Sequence, residues 1–207
     1  MYIPKHYNDK EHLLIKKLVI DDGFGSLIST SGGNLYSTLL PFAVDDIAKP
    51  TKLLAHMAKS NPQWEGLDGT EVMVQFVGPH AYISPSLCEL QTNVPTWNYA
   101  AVQVSGRVHV HNNPADTQAV MKRMINHFDS RYEAQYDSLP TEYLDRMLSM
   151  IVSFEIDIIN IESKVKFSQN KTSNEREVIV ESLRSGNYLA RELSLWMEEV
   201  VVTKTPN

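Results

Sequence analysis

Two apolar segments separated by a short polar turn constrain the fold of this chain more than any other feature of its sequence. Residues 25–30 and 35–44 are rich in Leu, Ile, Phe and Val, and Ser31-Gly32-Gly33-Asn34 lies between them. Residues of this kind favour strands, and glycine beside asparagine favours the backbone conformations of a tight hairpin turn. The chain is therefore predicted to open with an antiparallel β-hairpin.

The pattern after the hairpin predicts further strands and then helices. Strands are expected at residues 52–55, 70–77, 97–110 and 151–161, with a helical turn at 57–60 and a strand break at Gly78-Pro79. Helices are expected at residues 6–21, at 114–128 with Asp116 as a possible N-cap, at 140–148, and at 174–201 with a break at 185–187. The predicted fold class is mainly β with flanking helices (α+β), in a single domain spanning residues 1–207. Its barrel core covers about residues 20–165 and its helical tail about 170–203.

Cysteine content and charge limit where such a protein is expected to work. The one cysteine, Cys88, cannot form an intramolecular disulfide, and no basic-then-apolar leader is present, so a cytoplasmic location is expected. No apolar stretch approaches the roughly 20 residues of a membrane helix, so no membrane span is expected. The net charge of −6 disfavours a general nucleic-acid surface, although Lys164, Lys166, Lys171 and Arg176 form a local cationic cluster among glutamates. A mixed, solvated surface is the alternative interpretation of that cluster.

Familiar catalytic and metal-binding patterns are missing from the sequence. His109 and His111 point to one face of a predicted strand, but no third ligand lies at a suitable spacing, so no metal site is expected. Cys88 has no neighbouring cation that would activate its thiol. The phosphate loop, the nucleophile elbow and the dinucleotide-binding glycine motif are also absent. The catalytic residues therefore remain unknown, and whether the protein is an enzyme stays open.

Three short segments combine Pro, Trp, Asn, His and Tyr in places where ordinary loops hold small polar residues. They are HMAKSNPQW at residues 56–64, GPHAYISP at 78–85 and VPTWNY at 94–99. Flat aromatic faces, amide donors and a cation are what a planar heterocycle with a phosphate tail requires. The alternative is that these aromatic side chains simply anchor a core at the ends of strands.

These segments carry a resemblance to a known family. HMAKSNPQW resembles the HxARxNPQW segment of PaiB-like FMN-binding negative transcriptional regulators, and the segments at 78–85 and 94–106 look like that family's next two motifs. KVKFSQNKT at residues 164–172 is similar to its KxKLSQNR segment. Four motifs in the same order make the resemblance specific, and it extends over about nine tenths of the chain.

The resemblance implies a split β-barrel related to pyridoxamine-phosphate oxidase, a homodimer, and FMN as the cofactor at the dimer interface. Contact with DNA is implied by the family name only. The cofactor-binding residues carried over from the family are Ser37, Thr38, His56, Lys59, Asn61, Trp97, Asn98, Lys166 and Gln169, with Ser168 and Asn170 in the same polar run. Ser37 and Thr38 would face the flavin, and Lys59 would contact its phosphate.

Departures from the family pattern leave other functions open. Lys59 and Lys171 stand where the family usually has Arg, and Leu39 replaces a common His. A lysine keeps the charge but lacks the planar fork of arginine, so weaker phosphate binding is expected. Besides a flavin-dependent regulator, the alternatives are a flavin-dependent oxidoreductase and a module that binds a small molecule without flavin.

Overall fold

The computed structural model describes residues 1–8, 13–89 and 92–202. Within them the chain forms strands β1 (Phe24–Ser31), β2 (Asn34–Pro41), β3 (Ala43–Val44), β4 (Lys52–Ala58), β5 (Glu71–Ile83), β6 (Thr96–His111) and β7 (Ile151–Lys166). The α-helices in the same residues are α1 (Pro114–Asp129), α2 (Glu133–Asp137), α3 (Thr141–Ser149), α4 (Ser173–Arg184) and α5 (Tyr188–Val202). None of the helices in these residues is long and apolar enough to cross a membrane.

The strands form one seven-stranded sheet with the order β2-β1-β5-β6-β7-β4-β3. The predicted hairpin is confirmed: β1 pairs antiparallel with β2 from Phe24↔Pro41 to Ser31↔Asn34. Gly32 and Gly33 form its turn with positive φ angles of 56° and 81°, which glycine adopts without a steric penalty. The predicted second strand, however, divides at Phe42, because β3 turns away to pair with β4.

The chain divides into two compact units. The first unit comprises Met1–Leu14, Val77–Ala101 and Ser163–Asn207, and the second unit comprises Ile15–Phe76 and Val102–Glu162. Strands β5, β6 and β7 each contribute residues to both units. The single domain expected over the whole chain stays a prediction.

The core of the second unit is apolar and lies on both faces of β4. Phe42, Phe76 and Phe154 are fully buried, and Ala55 on β4 pairs directly with Phe154 on β7. On the opposite face of β4, Leu54 clusters with residues of β3 and α1, namely Ala43, Val120 and Met124. Helix α1 therefore covers the face of β4 that carries Leu54 and, two residues further on, His56.

The C-terminal helices α4 and α5 contribute to the core of the first unit. Both helices, and the break between them at Ser185-Gly186-Asn187, were predicted correctly from the sequence. Helix α4 begins with a capping box in which the Thr172 hydroxyl accepts from the Glu175 amide and the Glu175 carboxylate accepts from the Thr172 amide. Ile179 on α4 and Leu193 and Met197 on α5 are fully buried.

Two local predictions were wrong because strand pairing overrides turn signals. The expected helical turn at residues 57–60 begins instead as strand, since Met57 and Ala58 pair with Val152 and Ile151 and Met57 is 2% exposed. The expected break at Gly78-Pro79 is likewise absent, and β5 continues to Ile83. Gly78 permits a close packing there, because a Cβ atom at this position would lie 3.1 Å from the Trp196 ring.

Helix ends also differ from the sequence prediction. Helix α1 is capped by Asn113, whose side-chain oxygen accepts from the Asp116 amide at 2.8 Å, so Asp116 lies inside the first turn. Of the expected helix at 6–21, residues 9–12 lie outside the described part. The described remainder forms a 3-10 turn at Lys5–Tyr7 and a π-helix at Ile15–Asp22.

Candidate functional site

A buried glutamine organises the β1–β2 hairpin in the second unit. The side chain of Gln63 is 1% exposed, and its amide nitrogen donates to the Leu27 carbonyl at 3.1 Å and to the Ser29 hydroxyl at 3.0 Å. Its amide oxygen accepts from the Thr38 hydroxyl at 2.6 Å. Each donor and acceptor of this amide is thus used, and Gln63 fastens both strands of the hairpin to the segment after β4.

The NPQW motif is therefore largely an internal clamp. Asn61 caps the short 3-10 helix Pro62–Gly66 by accepting from the Gln63 amide, and its own amide nitrogen donates to the Thr38 hydroxyl at 3.0 Å. The indole nitrogen of Trp64 donates to the Lys59 carbonyl at 2.8 Å. These contacts fix the backbone on both sides of Ser60, and both polar atoms of the Asn61 amide already have partners inside the protein.

Lys59 is the cation that this clamp holds in place. Its backbone amide donates to the Met150 carbonyl at 2.8 Å, whereas its side chain is exposed and forms no ion pair with any residue in the described part of the chain. Lys59 and Trp64 line one side of a cavity of about 300 Å³ that also borders His111 and Asp145. A fixed backbone under an unpaired ammonium suits an anionic group, because a positioned charged donor binds phosphate through short, strong hydrogen bonds.

Ser37 and Thr38 lie on opposite faces of β2, because neighbouring residues of a strand alternate. Thr38 pairs with buried Leu27 and points to the Gln63 clamp, while Ser37 is exposed and its hydroxyl lies 2.7 Å from that of Ser26. The two side chains thus lie on opposite faces of β2, and the expectation that they face a flavin stays a prediction. Ser37 remains available on the outer face.

His56 is half-buried on the face of β4 that α1 covers. It pairs with Ser153, whose hydroxyl donates to Thr117 on α1 at 3.1 Å. The Nδ1 atom of His56 is buried and has no hydrogen-bond partner in the described residues. Burial lowers the pKa of His56 below its ordinary value, since a charged imidazolium there would lose hydration.

This burial predicts a pH dependence of stability. A histidine whose folded-state pKa lies below its unfolded value of about 6.5 stabilises the protein fully above that value and progressively less as the pH falls. We expect the free energy of unfolding to fall between pH 7 and 5, with a contribution from His56 of less than about 1.4 kcal/mol per pH unit. Chemical denaturation of His56→Gln should show a shallower fall than the wild type. The exposed His6, changed to Gln, is the matched control, and an equal change of slope in both variants would contradict this assignment.

An exposed aromatic group marks the first unit. Trp97 is 52% exposed and Tyr82 is 50% exposed, and their ring centroids lie 6.2 Å apart in an edge-to-face arrangement. The His80 ring lies 6.1 Å from Trp97. Exposed aromatic faces of this size suit a planar ring, because such rings stack or pack edge to face. Tyr82 and His80 lie in the GPHAYISP segment but were not among the predicted site residues.

Asn98 and Gln169 hold the first unit together internally. Asn98 is fully buried, and its amide nitrogen donates to the Ser168 hydroxyl at 2.9 Å. Gln169 accepts from the Phe167 amide and donates to the Val165 carbonyl, both at 2.7 Å. These bonds stabilise the turn at Ser168, whose φ angle of 58° is unusual for a residue other than glycine.

Lys166 differs from these neighbours because, among the described residues, its ammonium group donates only to the Thr96 hydroxyl. The nine predicted site residues therefore separate into two groups, each within its own unit. Ser37, Thr38, His56, Lys59 and Asn61 lie in the second unit, and Trp97, Asn98, Lys166 and Gln169 lie in the first. Within these groups, Lys59, Ser37, Trp97 and Lys166 retain polar atoms or ring faces directed away from the interior, whereas Thr38, Asn61, Asn98 and Gln169 serve internal hydrogen bonds.

The donor set of the second unit fits a phosphate-bearing ligand. The Lys59 ammonium is a donor with free capacity, and so is one of the two paired hydroxyls of Ser26 and Ser37, since only one of them donates to the other. None of these groups is tied to a carboxylate in the described residues. Gln63, which fixes the neighbouring backbone, was missed as a separate residue because sequence alone does not show that its amide is buried. In the described residues, no group of three or more His, Cys, Asp or Glu side chains is arranged for a metal ion.

Comparison with known proteins agrees with the sequence resemblance. A family model described as "Putative FMN-binding domain" matches residues 1–160. "Protease synthase and sporulation protein PAI 2" of Bacillus subtilis is 32% identical over 204 residues, which cover 96% of this chain and 97% of that protein.

Solved structures with the same fold have little sequence similarity. The flavocytochrome Anf3 from Azotobacter vinelandii matches 76% of this chain and 67% of its own with a TM-score of 0.56 at 12% identity. The FAD and heme binding protein from Mycobacterium smegmatis matches 82% of this chain and 77% of its own with a TM-score of 0.54 at 13% identity. Together with the antiparallel sheet and its helices, these likenesses confirm the predicted α+β split barrel.

Proposed function

Since this chain belongs to the PaiB-like family of FMN-binding proteins, we propose that it is a flavin-dependent regulator that works as a homodimer and holds the flavin phosphate at Lys59. FMN or a related flavin is the cofactor of this family. The observation that carries the proposal is the Lys59 ammonium, which has no ion-pair partner in the described part of the chain and lies on a backbone fixed by Asn61, Gln63 and Trp64. When bound, the flavin supplies redox chemistry, and the residues of this chain orient and neutralise its phosphate.

The residues around Lys59 support this role through their arrangement. Trp64 holds the Lys59 carbonyl, so the backbone that carries the ammonium does not need to reorganise when an anion binds. Ser37 lies exposed on the face of β2 opposite Thr38, where its hydroxyl pairs with that of Ser26. In the first unit, the exposed ring of Trp97 offers a face for a planar heterocycle, and Lys166 is a half-buried cation.

The regulatory part of the proposal is supported by the resemblance to negative transcriptional regulators and by the name of the Bacillus subtilis relative, which refers to protease synthase and sporulation. Direct contact with DNA rests on the family name only. The net charge of −6 favours an indirect route, since nucleic-acid affinity depends strongly on Lys and Arg contacts to phosphates. The single cysteine fits a cytoplasmic setting.

The dimer is supported by the outer face of β2, which is the edge strand of the sheet. Leu35 and Leu39 are 79% and 64% exposed on the same face as Ser37, and Phe24 on β1 is 52% exposed. Exposed apolar side chains on an edge strand favour association with another chain, and a second copy of this chain would cover them. The family pattern that the sequence resembles has a His at the position of Leu39, and here Leu39 extends the apolar stripe.

Light scattering tests the dimer, with an expected mass of about twice the 23.5 kDa of one chain. We expect Leu39→Lys to raise the dissociation constant of the dimer at least tenfold, because the substitution would bury a charge against apolar surface. Ile47, which is 65% exposed and lies outside the strands, provides a matched control as Ile47→Lys. A wild type that stays monomeric at every concentration would contradict the dimer, whatever its flavin affinity.

A further inference from the structure

A small polar cavity lies in the first unit, where β6 begins and β7 ends. It has a volume of about 190 Å³ and is lined by Thr96, Asn98, Lys166, Ser168 and Lys171, among other residues. Cavities that enclose ligands the size of a drug or a whole cofactor usually measure about 300 to 1,000 Å³. This cavity is therefore suited to a small ion or to one end of a larger molecule.

The charged side chains that line this cavity are all positive among the described residues. Two lysines line it, and none of its described lining residues is Asp or Glu. Lys171 donates to the Asn93 side chain and lies 4.0 Å from the buried carboxylate of Glu175, which balances its charge. Lys166 has no such partner in the described chain, because its only hydrogen bond is to the Thr96 hydroxyl.

Lys166 therefore keeps free donors in a half-buried position. An ammonium group has three N–H donors, and only one of them has a partner here. A cation that is partly removed from water without a counter-charge is costly, and an anion that accepts the remaining hydrogen bonds would offset that cost. The surplus of acidic residues in the whole chain, 25 against 19 basic ones, makes this local excess of positive charge more notable.

We propose that this cavity is a binding site for a small oxyanion, either phosphate or a carboxylate group, held by Lys166 and assisted by Lys171. Asn98 and Ser168 form the rigid wall behind it, since both are buried and bonded to each other. The site takes a ligand of its own and is separate from the flavin phosphate at Lys59, so Lys166 has a different role from the cofactor contact that the family resemblance implies. Its existence does not depend on flavin binding.

Cys88 provides a built-in reporter for the site. It is the only cysteine of the chain, it is half-buried, and it lines the same cavity. Iodoacetate and iodoacetamide alkylate a thiol in the same way but differ in charge, so the ratio of their rates measures the electrostatic potential around the sulfur atom. Both rates can be followed by mass spectrometry on the intact full-length protein.

We expect Lys166→Met to lower the ratio of iodoacetate to iodoacetamide rates at least threefold, and Lys166→Arg to preserve it. Lys164→Met is the matched control, because Lys164 lies on the same strand but donates to the Tyr2 carbonyl and does not line the cavity. Inorganic phosphate should slow alkylation of the wild type at least threefold relative to sodium chloride of equal ionic strength. Lys166→Met should abolish that protection.

The source of the anion is decided by repeating the phosphate experiment on protein saturated with FMN. Equal protection with and without FMN supports a site separate from the flavin. Loss of phosphate protection in FMN-loaded protein would overturn the separate site, because FMN's own phosphate would then occupy the cavity. An equal fall in the rate ratio for Lys164→Met and Lys166→Met, or no protection by phosphate, would overturn the oxyanion site itself. The alkylation assay on flavin-free protein gives its answer even if FMN does not bind.

Discussion

Replacing Gln63 with Leu is expected to lower the free energy of unfolding by about 3 kcal/mol, although the two side chains are similar in size. The substitution removes three side-chain hydrogen bonds, to the Leu27 carbonyl, the Ser29 hydroxyl and the Thr38 hydroxyl. Each partner left unsatisfied in a buried place costs roughly 1 to 3 kcal/mol, and Thr38 keeps its bond from Asn61. Chemical denaturation with the slope held common to both proteins measures the difference.

Gln135→Leu is the matched control for this substitution, because Gln135 is exposed on α2 and its side chain makes no hydrogen bond in the described residues. Its effect should stay within about 0.5 kcal/mol. A loss of less than about 1 kcal/mol for Gln63→Leu would show that the clamp does not hold the hairpin. It would also remove the reason for treating the backbone around Lys59 as fixed.

Lys59→Ala should weaken FMN binding by about tenfold to a hundredfold, equivalent to roughly 1.5 to 3 kcal/mol, through loss of a charge-assisted hydrogen bond. The exposed, unpaired state of the Lys59 side chain means that its removal breaks no ion pair in the described structure, so the fold should be unaffected. Titration of FMN followed by the quenching of flavin fluorescence gives the dissociation constants.

Two further variants make the Lys59 result specific. Lys59→Arg should keep or strengthen FMN binding, since guanidinium offers a planar fork to phosphate. Lys49→Ala changes the net charge by the same amount at an exposed position and should leave FMN affinity nearly unchanged. Equal losses for Lys49→Ala and Lys59→Ala would mean that long-range charge, and not contact, governs the affinity.

The opening hairpin could be predicted from sequence because its signals are local. The turn glycines and the apolar strands on either side act within a few residues, and the observed pairing from Phe24↔Pro41 to Ser31↔Asn34 follows from them. The C-terminal helices with their break at Ser185-Gly186-Asn187 were predictable for the same reason. The split barrel was predicted through the family resemblance and not from these local signals.

The errors arose where distant contacts decide the structure. Met57 and Ala58 extend β4 because residues 151–152, nearly a hundred positions later, pair with them. Gly78 does not end β5, because the Trp196 ring packs against it and stabilises the continuous strand. Secondary-structure propensity cannot predict such pairings, because it considers only neighbours in sequence.

The residue types of the candidate site can be identified in the sequence, but the orientation of their side chains cannot. Asn61 and Thr38 have the chemistry of ligand contacts, yet both are engaged in the Gln63 clamp. His56 has the chemistry of a surface ligand but lies under α1 with a lowered pKa. Which way a polar side chain points depends on the pleat and on its packing partners. The sequence therefore does not show that Lys59 is exposed while its neighbours in the HMAKSNPQW motif make internal contacts.

One measurement tests most directly whether Lys59 holds the flavin phosphate. It is the ratio of FMN affinity to riboflavin affinity, determined by fluorescence titration for the wild type and for Lys59→Ala. Riboflavin lacks the phosphate but carries the same ring. The wild type should bind FMN about tenfold to a hundredfold more tightly than riboflavin, and Lys59→Ala should abolish most of that difference while leaving riboflavin affinity nearly unchanged. Equal losses of FMN and riboflavin affinity in Lys59→Ala, or an unchanged preference for FMN, would contradict it.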